Sequence, residues 1–107
     1  MLPASERLLS HISGFLLSIA DVARLRILLA LRDGERCVTE IAQETGCRRA
    51  EVSKTLTQLR RAGLVALRRD GEHLYYRAIG PEVFAICATV CASLGKPLPT
   101  ETDVTAS

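Results

Sequence analysis

With 107 residues, 48% of them apolar, the chain is sized for one domain around one core, and with 4% aromatics and no Trp that core must be filled by aliphatic side chains. The net charge of +2 hides an asymmetry. Residues 48–77 carry eight basic side chains (Arg48, Arg49, Lys54, Arg60, Arg61, Arg68, Arg69, Arg77) against Glu51, Asp70 and Glu72, an excess suited to phosphates or to a solvated face. No run of 18 apolar residues argues for a membrane span, and residues 8–20 lack the basic start and cleavage site of a signal peptide. The chain therefore reads as cytoplasmic and free of membrane, where its four cysteines would be thiols, metal ligands or redox sensors rather than structural disulfides.

Residues 5–20 form the first predicted helix, with Ser5 as its cap and Leu8, Leu9, Ile12, Leu16 and Ile19 or Ala20 at helical spacing. Asp21 starts a second helix that turns Val22, Leu25, Leu28, Leu29 and Leu31 or Ile27 inward and stops at Gly34. Thr39 caps a short third helix carrying Ile41 and Ala42 and ending at Gly46. A fourth follows in RRAEVSKTLTQLRRAG, its inner face marked by Val52, Leu56 and Leu59, up to Gly63. Two helices across a Gly-containing turn, the second more basic, are the polarity a helix-turn-helix needs to enter the major groove. LVALRR and LYYRAI alternate on either side of Asp70-Gly71, a hairpin signal placed where a wing would touch the DNA backbone. Gly80-Pro81 closes the strand and opens a last helix, PEVFAICATVCASLG, apolar nearly all round and in need of a partner. Residues 1–95 thus read as a mainly α winged helix-turn-helix domain with a β-hairpin wing, dimerising through its first and last helices. Residues 96–107 read as a disordered tail.

On the fourth helix the outward set is Arg48, Arg49, Glu51, Ser53, Lys54, Thr55 and Gln58. Arginine at the helix start can read guanine O6 and N7, while Ser, Thr and Gln offer smaller hydrogen-bonding groups. Glu51 can accept from cytosine N4 or pair with an arginine. Arg60 and Arg61 near the helix end, with Arg68, Arg69 and His73 on the hairpin, are placed for phosphate contacts that set register.

The segments RLRILLALRDGERCVTEIA and AEVSKTLTQLRRAGLVALRRDGEHLYYRA resemble the ArsR/SmtB family of bacterial winged-helix repressors. The resemblance implies a homodimer built on the first and last helices, a double-stranded operator with two half-sites, and repression relieved by a ligand or oxidant. No cofactor is then needed for DNA binding itself. Arsenic and cadmium sensors of that family carry a Cys-x-Cys pair at the start of the third helix; Cys37 matches the first position and Thr39 stands at the second. Its zinc sensors use His-containing ligands on the last helix, and residues 80–93 contain no His.

That helix instead offers Cys87 and Cys91, four residues apart on one face, at a Cβ spacing of about 6 Å, too far for an unstrained disulfide. Two thiolates there suit a soft ion such as As(III), Cd(II) or Cu(I) with a third ligand, whether from the second subunit or from Cys37. They equally suit oxidant or polysulfide chemistry, and free Cys also serves as a small core hydrophobe. Cys47 reads as packing, His11 as a dimer-surface residue. The function expected is a homodimeric repressor controlled through Cys37, Cys87 and Cys91, with a slight preference for a metalloid inducer over thiol oxidation or persulfide formation. A winged-helix protein-interaction module is the alternative. No nucleophile–base pair, phosphate loop or carboxylate pair points to an enzyme.

Overall fold

A computed structural model describes residues 3–98. The elements run α1 (Ala4–Ile19), α2 (Val22–Ala30), α3 (Val38–Thr45), α4 (Arg49–Arg61), β1 (Val65–Asp70), β2 (His73–Ala78) and α5 (Glu82–Ser93). The expected helix order and hairpin are present. The expected tail begins with Lys96, Pro97 and Leu98, which belong to no helix or strand, and residues 99–107 lie outside the described residues.

Several helix ends differ from expectation, each for a local reason. Pro3, not Ser5, is the N-cap of α1, and Ser5 lies inside the helix. Asp21 caps α2 as expected, its carboxylate accepting from the Arg24 N–H at 3.1 Å. That helix ends at Ala30 instead of continuing to Gly34, because Leu31, Arg32 and Gly34 turn back with short-range hydrogen bonds to Leu28, Leu29 and Leu31. Val22 is 72% exposed rather than inward, while Leu25 and Leu29 line a groove against α5. The cap of α3 is Cys37, two residues before Thr39, and its N–H donates to Glu40 Oε1 at 3.0 Å. Bonds from both the Cys37 backbone and its thiol hold the Glu40 carboxyl below the usual carboxylate range.

The end of α4 shows how sequence fixes chain direction. Gly63 adopts φ 79°, Leu64 N–H donates to Leu59 C=O at 2.9 Å, and Gly63 N–H donates to Arg60 C=O at 3.0 Å. This is a Schellman closure, with Leu59 and Leu64 both buried beside it. It aims the chain straight into β1. The hairpin is antiparallel from Val65↔Ala78 to Asp70↔His73, so the connecting pair is Gly71-Glu72 and Asp70 belongs to the strand. Gly71 alone has positive φ (62°), the arrangement of a type II′ connection. Arg36 adds a short third edge through reciprocal backbone bonds with Tyr76 at 2.9 and 2.8 Å, a pairing that no alternation in the sequence announced.

The core joins Ile27, Leu28 and Leu31 of the α2 region, Ile41 of α3, and Val52, Leu56 and Leu59 of α4 with Leu64, Val65, Tyr76 and Val83. α1 and α5 contribute little to it: Ile19 and Val83 are their only fully buried residues. Leu8, Leu9, Ile12, Leu16 and Leu17 of α1 and Val90 of α5, with Leu94 just beyond it, remain exposed. Such a run of apolar side chains on two helices is the mark of a surface made to be covered.

Candidate nucleic-acid interface

α4 buries Val52, Leu56 and Leu59 completely, which fixes the opposite face outward. Arg48, Arg49, Glu51, Ser53, Lys54, Gln58, Arg60 and Arg61 are all exposed. Thr55, expected among them, is a correction: it is 6% exposed. Positions 52, 55, 56 and 59 share one face of a helix, so Thr55 shares the core side with its apolar neighbours. The exposed threonine is Thr57, which the sequence reading missed and which helical spacing from Ser53 would have found. Its hydroxyl donates to Ser53 C=O at 2.9 Å.

Arg48 is the N-cap of α4 and makes no side-chain capping bond, so the first turn keeps N–H groups free for an anion or water. Arg48, Arg49, Lys54, Arg60, Arg61 and Arg69 form no ion pair among the described residues. A basic surface without intramolecular partners is what a polyanion can neutralise.

Strand β1 sorts its two arginines by face. Alternation puts Val65, Leu67 and Arg69 on the side of the helices, opposite Ala78, Tyr76 and Leu74. Ala66, Arg68 and Asp70 lie on the outer face opposite Arg77, Tyr75 and His73. Arg68 is engaged: Nε and Nη2 donate to Glu35 at 3.1 and 2.6 Å, Nη1 lies 3.9 Å from Asp70, and the guanidinium stands 4.8 Å over the Tyr75 ring. The paired guanidinium holds the Glu35 carboxyl below its usual range. Neither Glu35 nor Tyr75 was singled out by sequence, because their role depends on a contact 33 residues apart in the chain. His73, at the tip, is exposed and its ring lies 6.3 Å from that of Tyr75.

The cysteines separate into two places. Cys37 lines a groove of about 410 Å³ between the start of α4 and the wing, with Arg49, Ser53, His73 and Leu74. Cys87 and Cys91 line a second groove of about 450 Å³, apolar, walled by Leu16, Ile19, Leu25 and Leu29. The structure therefore does not unite Cys37 with the α5 pair, and among the described residues no three His, Cys, Asp or Glu side chains are gathered as a metal site. A soft ion coordinated by these three cysteines of one chain does not fit. Burial, with Cys91 adding to it, pushes the Cys87 thiol up, so Cys87 keeps its proton at neutral pH. Cys47, in the turn of the helix-turn-helix, packs half-buried against the core as expected. No helix among the described residues is long and apolar enough to cross a membrane.

This arrangement of exposed recognition helix and adjoining hairpin recurs in known proteins. The family model for bacterial regulatory proteins of the arsR family matches residues 21–66. The HTH-type transcriptional regulator Rv0081 of Mycobacterium tuberculosis is 35% identical over 95 residues, covering 88% of this chain and 83% of that protein. Rv0324 of the same organism is 41% identical over 73 residues, which are 68% of this chain but 32% of that longer protein. Among solved structures, a homodimeric winged helix-turn-helix DNA-binding domain from Mycobacterium bovis, Mb0332, superposes with a TM-score of 0.74 at 34% identity, covering 89% of this chain and 88% of that one. With fold, basic face and sequence in agreement, the chain belongs to the ArsR family of winged helix-turn-helix, DNA-binding transcriptional regulators.

Proposed function

We propose that the protein is a homodimeric repressor that lays α4 in the major groove of a double-stranded operator, sets the wing on the flanking backbone, and is released by a thiol-reactive inducer acting at Cys87 and Cys91. The observation that carries the DNA reading is the outer face of α4, where Arg48, Arg49 and Lys54 stand exposed, with no ion-pair partner among the described residues, beside Glu51, Ser53 and Gln58. Arg49, at the first turn and bordering the wing, is assigned to base edges; Arg60, Arg61 and Arg69 are assigned to phosphates. The exposed apolar residues of α1 and α5 support pairing of two chains through those helices, which spaces two recognition helices for two half-sites.

The control reading rests on position. Cys87 and Cys91 lie in the groove between α5 and the α1–α2 layer, so a group added there alters the packing of the dimerising helices. An inducer that binds the conformation unable to span both half-sites shifts the population away from DNA. Metalloid, soft ion, oxidant and polysulfide share this thiol chemistry; since no three ligands gather among the described residues of one chain, an ion here draws a ligand from the second protomer.

The test is operator binding by Arg49→Ala, and thiol mass spectrometry of the wild type after arsenite, cadmium, polysulfide or peroxide. Loss of specific binding with retained folding is expected for R49A, and unchanged binding overturns the assignment of α4. Release from DNA on modification of Cys87 and Cys91, absent in the double Ser variant, is expected. Release that persists in that variant moves control elsewhere, Cys37 at the DNA-facing groove being the remaining candidate.

A further inference from the structure

The engagement of Arg68 is difficult to reconcile with a role in gripping phosphate. Its side chain leaves β1, crosses the outer face of β2 over the Tyr75 ring at 4.8 Å, and reaches Glu35 on the far side of that strand. Glu35 is joined to Arg36, whose backbone forms the third edge with Tyr76 and whose guanidinium meets Glu44 of α3 at 3.1 Å. The next residue, Cys37, is the N-cap of α3. One side chain therefore ties both strands of the wing to the segment that begins the helix-turn-helix.

We propose that Glu35 and Arg68, braced on Tyr75, form a clamp that fixes the angle of the wing to the recognition helix, making Glu35 a positioning residue for DNA binding and leaving Arg69 as the phosphate ligand of the wing. Exposed ion pairs usually contribute little to stability. The significance of this one is geometric: a two-bond fork over an aromatic face holds one orientation, which a single-point contact does not. Arg69, on the opposite face of the same strand, has no ion pair among the described residues and stands opposite Leu74, which lines the groove beside α4. Division of labour between neighbouring arginines follows from strand alternation.

Charge alone and the clamp predict opposite outcomes. Glu35→Gln removes a negative charge from a surface that approaches phosphate, so simple electrostatics tightens binding. If the clamp operates, E35Q frees the wing and lowers the preference for a specific duplex several-fold. The proposal rests on the DNA-binding reading, so the probe is a duplex selected by the wild-type protein from a random-sequence pool, with a scrambled duplex as control. The variants are E35Q, R68K, R68Q and the exchange E35R/R68E, all at exposed positions and all checked for folding by circular dichroism.

Losses of similar size in E35Q, R68Q and R68K are expected, because lysine keeps the charge but cannot make the fork. At most partial recovery is expected in the exchanged pair, since it restores the ion pair at unchanged net charge but places a carboxylate, which the ring face does not attract, over Tyr75. E35Q binding as tightly as wild type or tighter, R68K behaving as wild type, or full recovery in the exchange, which lacks the brace on Tyr75, would each overturn the clamp. If the wild type selects no duplex at all, the DNA-binding reading has failed instead, which keeps the two failures distinct.

Discussion

Arg69→Gln tests the division of roles on the wing most directly, because its effect can be worked out before measurement. The phosphate set assigned here is Arg60, Arg61 and Arg69, three per protomer, all exposed and without ion pairs among the described residues. Six contacts in a dimer give a slope of log K against log salt of about −5, at roughly 0.9 per neutralised phosphate. Between 50 and 200 mM salt such a protein loses about three orders of magnitude in affinity. R69Q removes two contacts and should make the slope shallower by about 2, weakening specific and non-specific duplexes alike. Arg68→Gln, by contrast, should lower the preference for the specific duplex. Fluorescence anisotropy over a salt series, with both duplexes, reads all of these quantities. A slope unchanged by R69Q would refute the placement of Arg69 on the backbone, and a loss confined to the specific duplex would move it to base reading.

Ile12→Asp should dissociate the dimer: burying the 46% of Ile12 left exposed contributes about 1 kcal/mol per copy and about 2 per dimer, so the dissociation constant should rise at least about 30-fold, read by sedimentation. Gly63→Ala meets no atom within 4 Å, so its cost is the left-handed backbone alone, about 1 kcal/mol, seen as a lower urea midpoint at unchanged slope. Cys87 is held protonated by burial, so its alkylation should be slower than in the urea-unfolded chain at neutral pH and should accelerate only at higher pH; equal rates in both states would contradict this. The same raised value means that stability contributed by the neutral thiol is present below the unfolded thiol's titration and lost as pH rises through the folded one. Thermal unfolding should show this alkaline loss in the wild type and less of it in Cys87→Ser. Leu56→Ala, at a fully buried position, should cost about 2–5 kcal/mol and reduce DNA binding only through loss of folded protein.

Much of this molecule was legible along the chain because its signals are local. Asp21 caps the residue three positions on, Gly63 closes the helix just before it, and the DNA-facing side of α4 follows from the spacing of Val52, Leu56 and Leu59. The same spacing also explains the error at Thr55: an i, i+3 and i+4 relation to the core residues outweighed its polarity. The basic stretch from Arg48 to Arg77 and the hairpin after it are likewise sequence properties, since period and turn chemistry are written in consecutive residues.

The relations between distant segments came from folding alone. Arg68 looks like Arg69 in the sequence, yet one is bound by Glu35 and the other is not, because a strand turns neighbours to opposite faces and only folding brings residue 35 across the wing. Cys37, Cys87 and Cys91 read as one possible ligand set, yet the fold places them in two grooves. Spacing within a helix determines which residues share a face. Which faces meet depends on the packing of the whole core, and no local pattern encodes that.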